Sequence, residues 1–274
     1  MLKQRVITAV LLIPLMIGAI YFLSTQTLAL VFAIIVMMSA WEWSGLIRIC
    51  KTKNRYLYIS LILCSLFISW ITPLQWILLV SNIWWSFCLL LFIKPFQEKS
   101  ISFPISKVWG FIIGLLILIP AWRAIIYLHS LPTIGPSIVL FLFMLIWLAD
   151  SGAYIAGRRF GHTKLAPMLS PGKTWEGVYG ALVICSLYLV ISTQFFDFSG
   201  KKWWFFLVLG LTTVLFSIVG DLLESLFKRI GAVKDSSNLL PGHGGILDRI
   251  DSLTSAAPIF TFGFLLLERL NDWS

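Results

Sequence analysis

The sequence predicts an all-α polytopic membrane protein of about nine transmembrane helices, with the N-terminus in the cytoplasm. Three observations carry this prediction. Apolar residues come in blocks of about 20, enough for one helix to cross the hydrocarbon core of a bilayer. Of the 274 residues 59% are hydrophobic and 12% charged, with a mean hydropathy of +0.92; an average soluble domain is about 25% charged. The basic residues also segregate to alternate segments between blocks, as the positive-inside rule requires.

Taken in order, Lys3 and Arg5 precede a first block at about 6–23. It is longer than the apolar region of a signal peptide and runs straight into Ser24-Thr25-Gln26, so it reads as a retained helix. Further blocks follow at about 27–47, 56–72, 76–93, 108–128, 137–157, 175–196, 203–227 and 252–270. The second ends with Trp41, Glu42 and Trp43 and the fourth carries Trp84 and Trp85, aromatics suited to interfacial belts or to helix packing. With the N-terminus inside, 17 of the 21 basic residues fall in cytoplasmic segments. Lys201, Lys202 and Arg269 lie outside, and Arg123 sits near the outer end of the fifth helix, where it can snorkel.

A formal charge of +9 raises the question of nucleic-acid binding. The basic residues are scattered among loops rather than gathered on one soluble face, which argues against it. Cys50, Cys64, Cys88 and Cys185 form no close-spaced pair, so neither a disulfide framework nor a zinc site is implied. Only Glu42 and Glu98 of the 12 acidic residues precede Asp150. Residues 1–274 therefore read as one integral membrane domain, with 1–140 as hydrophobic scaffold and 141–274 as the catalytic half.

In the sixth helix Asp150, Tyr154 and Arg158 are spaced by four and share a face. An intramembrane charge costs roughly 2.5–3.5 kcal/mol on insertion scales, so Asp150 faces either a polar cavity or a partner such as Arg158. The following loop, Gly157 to Gly177, contains Pro171-Gly172-Lys173-Thr174. A Walker A loop needs glycine where Pro167 stands, which excludes it. Arg158, Arg159, Lys164 and Lys173 either neutralise phosphates or are ordinary cytoplasmic loop charge.

The eighth helix carries a polar stripe, Ser217, Asp221, Glu224, Ser225 and Lys228, and the ninth a second, Asp248, Asp251, Ser252 and Ser255. As antiparallel neighbours the two helices can bring both stripes together at the cytoplasmic end. Asp221 and Asp248 are then candidates to share a Mg²⁺, a hard ion that favours carboxylate and phosphate oxygen; the competing reading is an ion-pair cluster with Lys228 and Arg249. Between the stripes Pro241-Gly242-His243-Gly244-Gly245 can let backbone N–H groups approach an anion, with His243 either touching phosphate or bracing the turn.

The run Ser225, Phe227-Lys228-Arg229, Lys234-Asp235, Ser237, Leu240-Pro241, His243-Gly244-Gly245-Ile246, Asp248-Arg249-Ile250-Asp251 resembles the motif of the phosphatidate cytidylyltransferase (CDP-diglyceride synthase) family, bacterial type. Asp150 to Tyr154 and Ser170 to Gly177 also resemble segments of that family. The resemblance implies transfer of CMP from CTP to phosphatidic acid, giving CDP-diacylglycerol and pyrophosphate. It further implies Mg²⁺ dependence, with a second cation allowed, a metal site on Asp221 and Asp248, a homodimer, and a place in the bacterial cytoplasmic membrane.

With that reaction, the candidate catalytic residues are Asp221, Lys228, Arg229, Asp248 and Asp251. The candidate substrate contacts are Asp150, Lys173, Ser225, Lys234, Asp235, His243, Gly244, Gly245 and Arg249. Two alternatives compete with this reading. A CDP-alcohol phosphotransferase needs Asp-Gly-x-x-Ala-Arg, with which Asp150-Ser-Gly-Ala-Tyr does not comply. An ion-coupled transporter also uses intramembrane carboxylates, but such folds often show paired broken helices and internal repeats, and none is evident here.

Overall fold

The computed structural model describes residues 2–93, 106–196, 200–239 and 244–269. Nine helices follow one another along the described chain: α1 (Leu2–Phe22), α2 (Thr25–Leu46), α3 (Thr52–Ile71), α4 (Leu74–Ile93), α5 (Lys107–His129), α6 (Gly135–Phe160), α7 (Trp175–Ser192), α8 (Lys201–Gly231) and α9 (Leu247–Arg269). Among the described residues eight of them are long and apolar enough to cross a membrane, and α1 adds the shorter apolar stretch Val10–Phe22. The chain is thus a nearly all-α polytopic membrane protein. Its periphery carries exposed apolar side chains such as Phe22, Phe67, Ile71 and Phe195, as expected where the solvent is lipid tail rather than water.

Two departures from the sequence-based expectation matter for the site. The expected loop between α6 and α7 contains a two-stranded antiparallel hairpin, β1 (Lys164–Ala166) and β2 (Ser170–Thr174). Strands of three and five residues are too short to show an alternating pattern, and Pro171 weakens any strand reading. The second departure is that α8 continues past Lys228 and Arg229, and α9 starts at Leu247 rather than about 252. The Glu224–Lys228 ion pair at i, i+4 supports that extra turn. Ala232 then ends the helix in the left-handed region, at φ 57°. At 31 residues α8 is about 46 Å long, so it outreaches a hydrocarbon core of about 30 Å.

Helices α5, α8 and α9 form the buried centre, whereas α3 and α4 lie largely on the outside. One end of the bundle is held by His129, buried on α5. Its Nε2 donates to the carbonyl of Ile20 at 2.8 Å, which leaves Nδ1 to accept from Thr25 Oγ1 at 2.9 Å. This histidine, to which the sequence assigned nothing, fastens the α1–α2 connection to α5. Arg123 works near the same end: its Nε donates to the Ser69 carbonyl at 3.1 Å and its guanidinium lies over the Trp70 ring. It thereby satisfies one of the carbonyls left open where α3 ends.

The opposite end gathers the ends of α2, α6 and α8, the starts of α7 and α9, and the hairpin. Helices α8 and α9 approach closely at Gly220, where an added Cβ would meet the Asp251 carbonyl oxygen at 2.5 Å and the Ser255 Cβ at 3.3 Å. The contact sets Asp221 and Asp251 beside each other. Gly220→Ala is therefore expected to push the helices apart, costing about 1–3 kcal/mol and lowering turnover. A thermal unfolding midpoint and a turnover number both equal to the parent's would refute this.

Candidate active site

The acidic cluster grows from these helix ends. Asp221, Glu224 and Ser225 are adjacent on one face of α8, and Ser225 Oγ donates to Asp221 Oδ1 at 3.3 Å. From α9, Asp251 enters the same space. Asp221, Glu224 and Asp251 each offer a carboxylate oxygen, all within 4.8 Å of one another. Asp150 on α6 lies within electrostatic range of Asp221, Lys173 and Arg249. It therefore faces this cluster, while Arg158 instead donates to Tyr154 Oη at 3.0 Å.

Cations offset part of this charge. Lys173, on the hairpin, reaches Asp221 Oδ2 at 2.6 Å. Lys228 bridges Glu224 Oε2 at 2.6 Å and Asp248 Oδ1 at 2.8 Å. Arg229, a candidate catalytic residue, donates through Nε to the Leu169 carbonyl at 3.0 Å. It thus ties the hairpin, and with it Lys173, to the end of α8. Lys234 and Asp235 are exposed on the segment after α8.

The sequence paired Asp221 with Asp248 on one ion. In the structure Asp221 stands with Glu224 and Asp251, and Asp248 adjoins them through the Lys228 ammonium. Its other oxygen, Oδ2, accepts from the Ser236 N–H and Oγ, both at 2.9 Å, and from the Gly245 N–H at 2.8 Å. Asp248 thus spends both oxygens on holding its surroundings in place. Gly244, at φ 82°, takes a conformation that favours glycine, and an added Cβ there would lie 2.8 Å from Asp248 Oδ2. His243 lies outside the described residues.

The trio Asp221, Glu224 and Asp251 suits a hard divalent cation. All donors are carboxylate oxygens, the preference of Mg²⁺. Glu224 is almost completely buried, and its Oε1 has no hydrogen-bond partner. A buried acceptor left unpaired costs free energy that a cation would recover. Glu224 was legible as part of the α8 stripe, but nothing in the sequence singled it out as a ligand.

One participant was missed altogether. Glu42, buried at the end of α2, faces four donors on the segment that carries the site: Ser237 Oγ, the N–H groups of Ile246 and Leu247, and Ser236 Oγ, whose proton it shares with Asp248. Its neighbour Trp43 packs against Phe227 of α8 with ring centroids 4.3 Å apart and the rings tilted by 43°, and donates to the Gly110 carbonyl. That packing brings the end of α2 against the site. A lone carboxylate in an otherwise apolar block was the available signal, since such a residue is costly unless it is paired.

Known proteins resemble this chain in sequence over nearly its whole length. The model of the cytidylyltransferase family matches residues 3–267. A phosphatidate cytidylyltransferase of Pseudomonas aeruginosa is 40% identical over 262 residues, covering 95% of this chain and 96% of that protein. One from Haemophilus influenzae is 37% identical over 295 residues, covering 97% and 100% respectively. A Staphylococcus aureus phosphatidate cytidylyltransferase is 46% identical over 128 residues, 46% of this chain and 48% of its own. With its motif, its helical architecture and near-complete coverage in agreement, the chain belongs to the cytidylyltransferase family.

Proposed function

We propose that this protein transfers CMP from CTP to phosphatidic acid, releasing pyrophosphate and leaving CDP-diacylglycerol in the bilayer. The observation that carries the reading is the cluster of five carboxylates and two lysines at one end of an apolar bundle. It is supported by identity to phosphatidate cytidylyltransferases over almost the full chain. The site faces the cytoplasm in this proposal, because the ends gathered around it carry most of the basic residues. The membrane is then the bacterial cytoplasmic membrane.

The chemistry needs no protein nucleophile. A phosphate monoester is largely ionised near neutral pH, its second pKa being about 6. Its oxygen attacks the α-phosphorus of CTP. The bond from that phosphorus to the oxygen bridging to the β-phosphate breaks, and pyrophosphate leaves with the electron pair. The protein has to hold two anions in line and offset the charge that develops.

Asp221, Glu224 and Asp251 would hold Mg²⁺, which supplies positive charge to the triphosphate when bound. Lys228 has three N–H donors, of which Glu224 and Asp248 engage two, so the third can meet a phosphate oxygen. Lys173 brings a further positive charge on the hairpin, whose position Arg229 maintains. The acyl chains stay in lipid while the head group reaches the cluster at the helix ends.

Purified protein with Mg²⁺, CTP and phosphatidic acid is expected to form CDP-lipid and pyrophosphate, and to form none when phosphatidic acid is omitted. No product from a monodisperse preparation would rule out the assignment. The same assay run with ATP, GTP and UTP measures base selectivity.

A further inference from the structure

Glu42 lies in the half of the chain that the sequence marks as scaffold, yet both of its carboxylate oxygens are engaged by the segment that leads into α9. Oε1 accepts from the Ile246 N–H at 3.0 Å and Ser237 Oγ at 2.5 Å. Oε2 accepts from the Leu247 N–H at 2.7 Å and Ser236 Oγ at 3.0 Å. Each carboxylate oxygen therefore takes one backbone donor and one hydroxyl.

The backbone donors stand at the first turn of α9, where N–H groups have no partner within their own helix. Glu42 supplies that partner from a different helix, as a capping side chain ordinarily does from the same one. A carboxylate there also complements the positive end of the helix dipole. The cap fixes where α9 begins, and Asp248 and Asp251 follow within its first two turns. Ser236 Oγ meanwhile lies 3.0 Å from Glu42 Oε2 and 2.9 Å from Asp248 Oδ2, so the two carboxylates share its single proton. Gly245 completes the fit: an added Cβ would lie 2.6 Å from Glu42 Oε2, so only glycine admits the carboxylate this close.

We propose that Glu42 is a positioning residue for catalysis: it caps α9 from α2 and holds the described parts of the 236–247 segment so that Asp248, Lys228 and Asp251 keep their places. The role rests on the reading of the acidic cluster as the active centre. Glu42 touches neither substrate nor reacting atoms and acts through the residues it holds.

Two substitutions separate this role from simple packing. Glu42→Gln preserves shape, but its amide NH₂ must face the N–H of either Ile246 or Leu247, donor against donor. Glu42→Asp keeps both acceptor oxygens and loses a methylene. Positioning through acceptance predicts that the Asp variant turns over faster than the Gln variant, whereas a packing role predicts the reverse. For Glu42→Gln, kcat is expected to fall about 10- to 100-fold, the scale of a displacement of about 1 Å in a catalytic group. The KM for CTP should move far less.

Hydrogen exchange gives a readout independent of activity. In Glu42→Gln, peptides covering 244–252 are expected to exchange faster, while peptides from α5 and α6 stay as in the parent. If the parent itself makes no CDP-lipid, the functional reading fails, and the exchange comparison still decides whether Glu42 holds the segment. Where Glu42→Gln does not give monodisperse protein, Ser237→Ala removes one of the four donors and is measured in the same way. Exchange and kcat equal to the parent's in the measured variant, or a Gln variant faster than the Asp variant, would overturn the proposal.

Discussion

Asp221→Asn is expected to lower CDP-lipid formation by about 10³-fold, roughly 4 kcal/mol of transition-state stabilisation, while leaving the protein as resistant to heat as the parent or more so. Asp221 shares a small space with Glu224 and Asp251, and like charges this close repel. Its favourable partners are Lys173, in a mostly buried ion pair, and the Ser225 hydroxyl, and asparagine keeps an acceptor oxygen for them. Neutralising Asp221 therefore relieves repulsion at small cost to the fold. What it removes is an oxygen donor for the proposed cation. Loss of function with retained stability is the signature of a site strained for its chemistry. The check is turnover and thermal midpoint measured on the same preparation. Turnover within a few-fold of the parent would remove Asp221 from the centre, and a large drop in midpoint would make it a structural residue.

Asp248→Asn is expected to fail in a different way, losing both activity and stability. Oδ1 pairs with Lys228 in an ion pair whose side chains are only 14% and 6% exposed, and Oδ2 accepts from the N–H groups of Ser236 and Gly245 and shares the Ser236 hydroxyl proton with Glu42. An Asn side chain must point its NH₂ at either the Lys228 ammonium or the donors of Ser236 and Gly245. Breaking a buried pair from one side costs about 3–5 kcal/mol, and the contact Lys228 keeps with Glu224 places this case near about 3 kcal/mol. For a chain of this size the midpoint should fall by roughly 6–12 °C. Turnover should fall at least 10²-fold, because Lys228 and the start of α9 move together. A variant as stable as the parent but inactive would show Asp248 to be a ligand rather than an anchor. The two aspartates, similar in the sequence, are thus distinguished by what their second oxygens do.

Much of this protein was decided locally and could be read from the chain. Helix-length apolar blocks dictate membrane spans because a backbone in lipid must satisfy its own hydrogen bonds. The stripes through Asp221 and Glu224, and through Asp248 and Asp251, follow from the 3.6-residue period of a helix. The motif from Ser225 to Asp251 points to the family by residue type and spacing alone. Tertiary structure decided how those residues are used. It brought Lys173 onto Asp221 and Arg229 Nε onto the Leu169 carbonyl. It also grouped Glu224 with Asp221 and Asp251, and set Asp248 to hold Lys228, Ser236 and Gly245. Above all it joined Glu42 to residues 194 to 205 positions away. Helical period and apolar composition register only neighbours along the chain, whereas a hydrogen bond between distant helices depends on how the bundle closes.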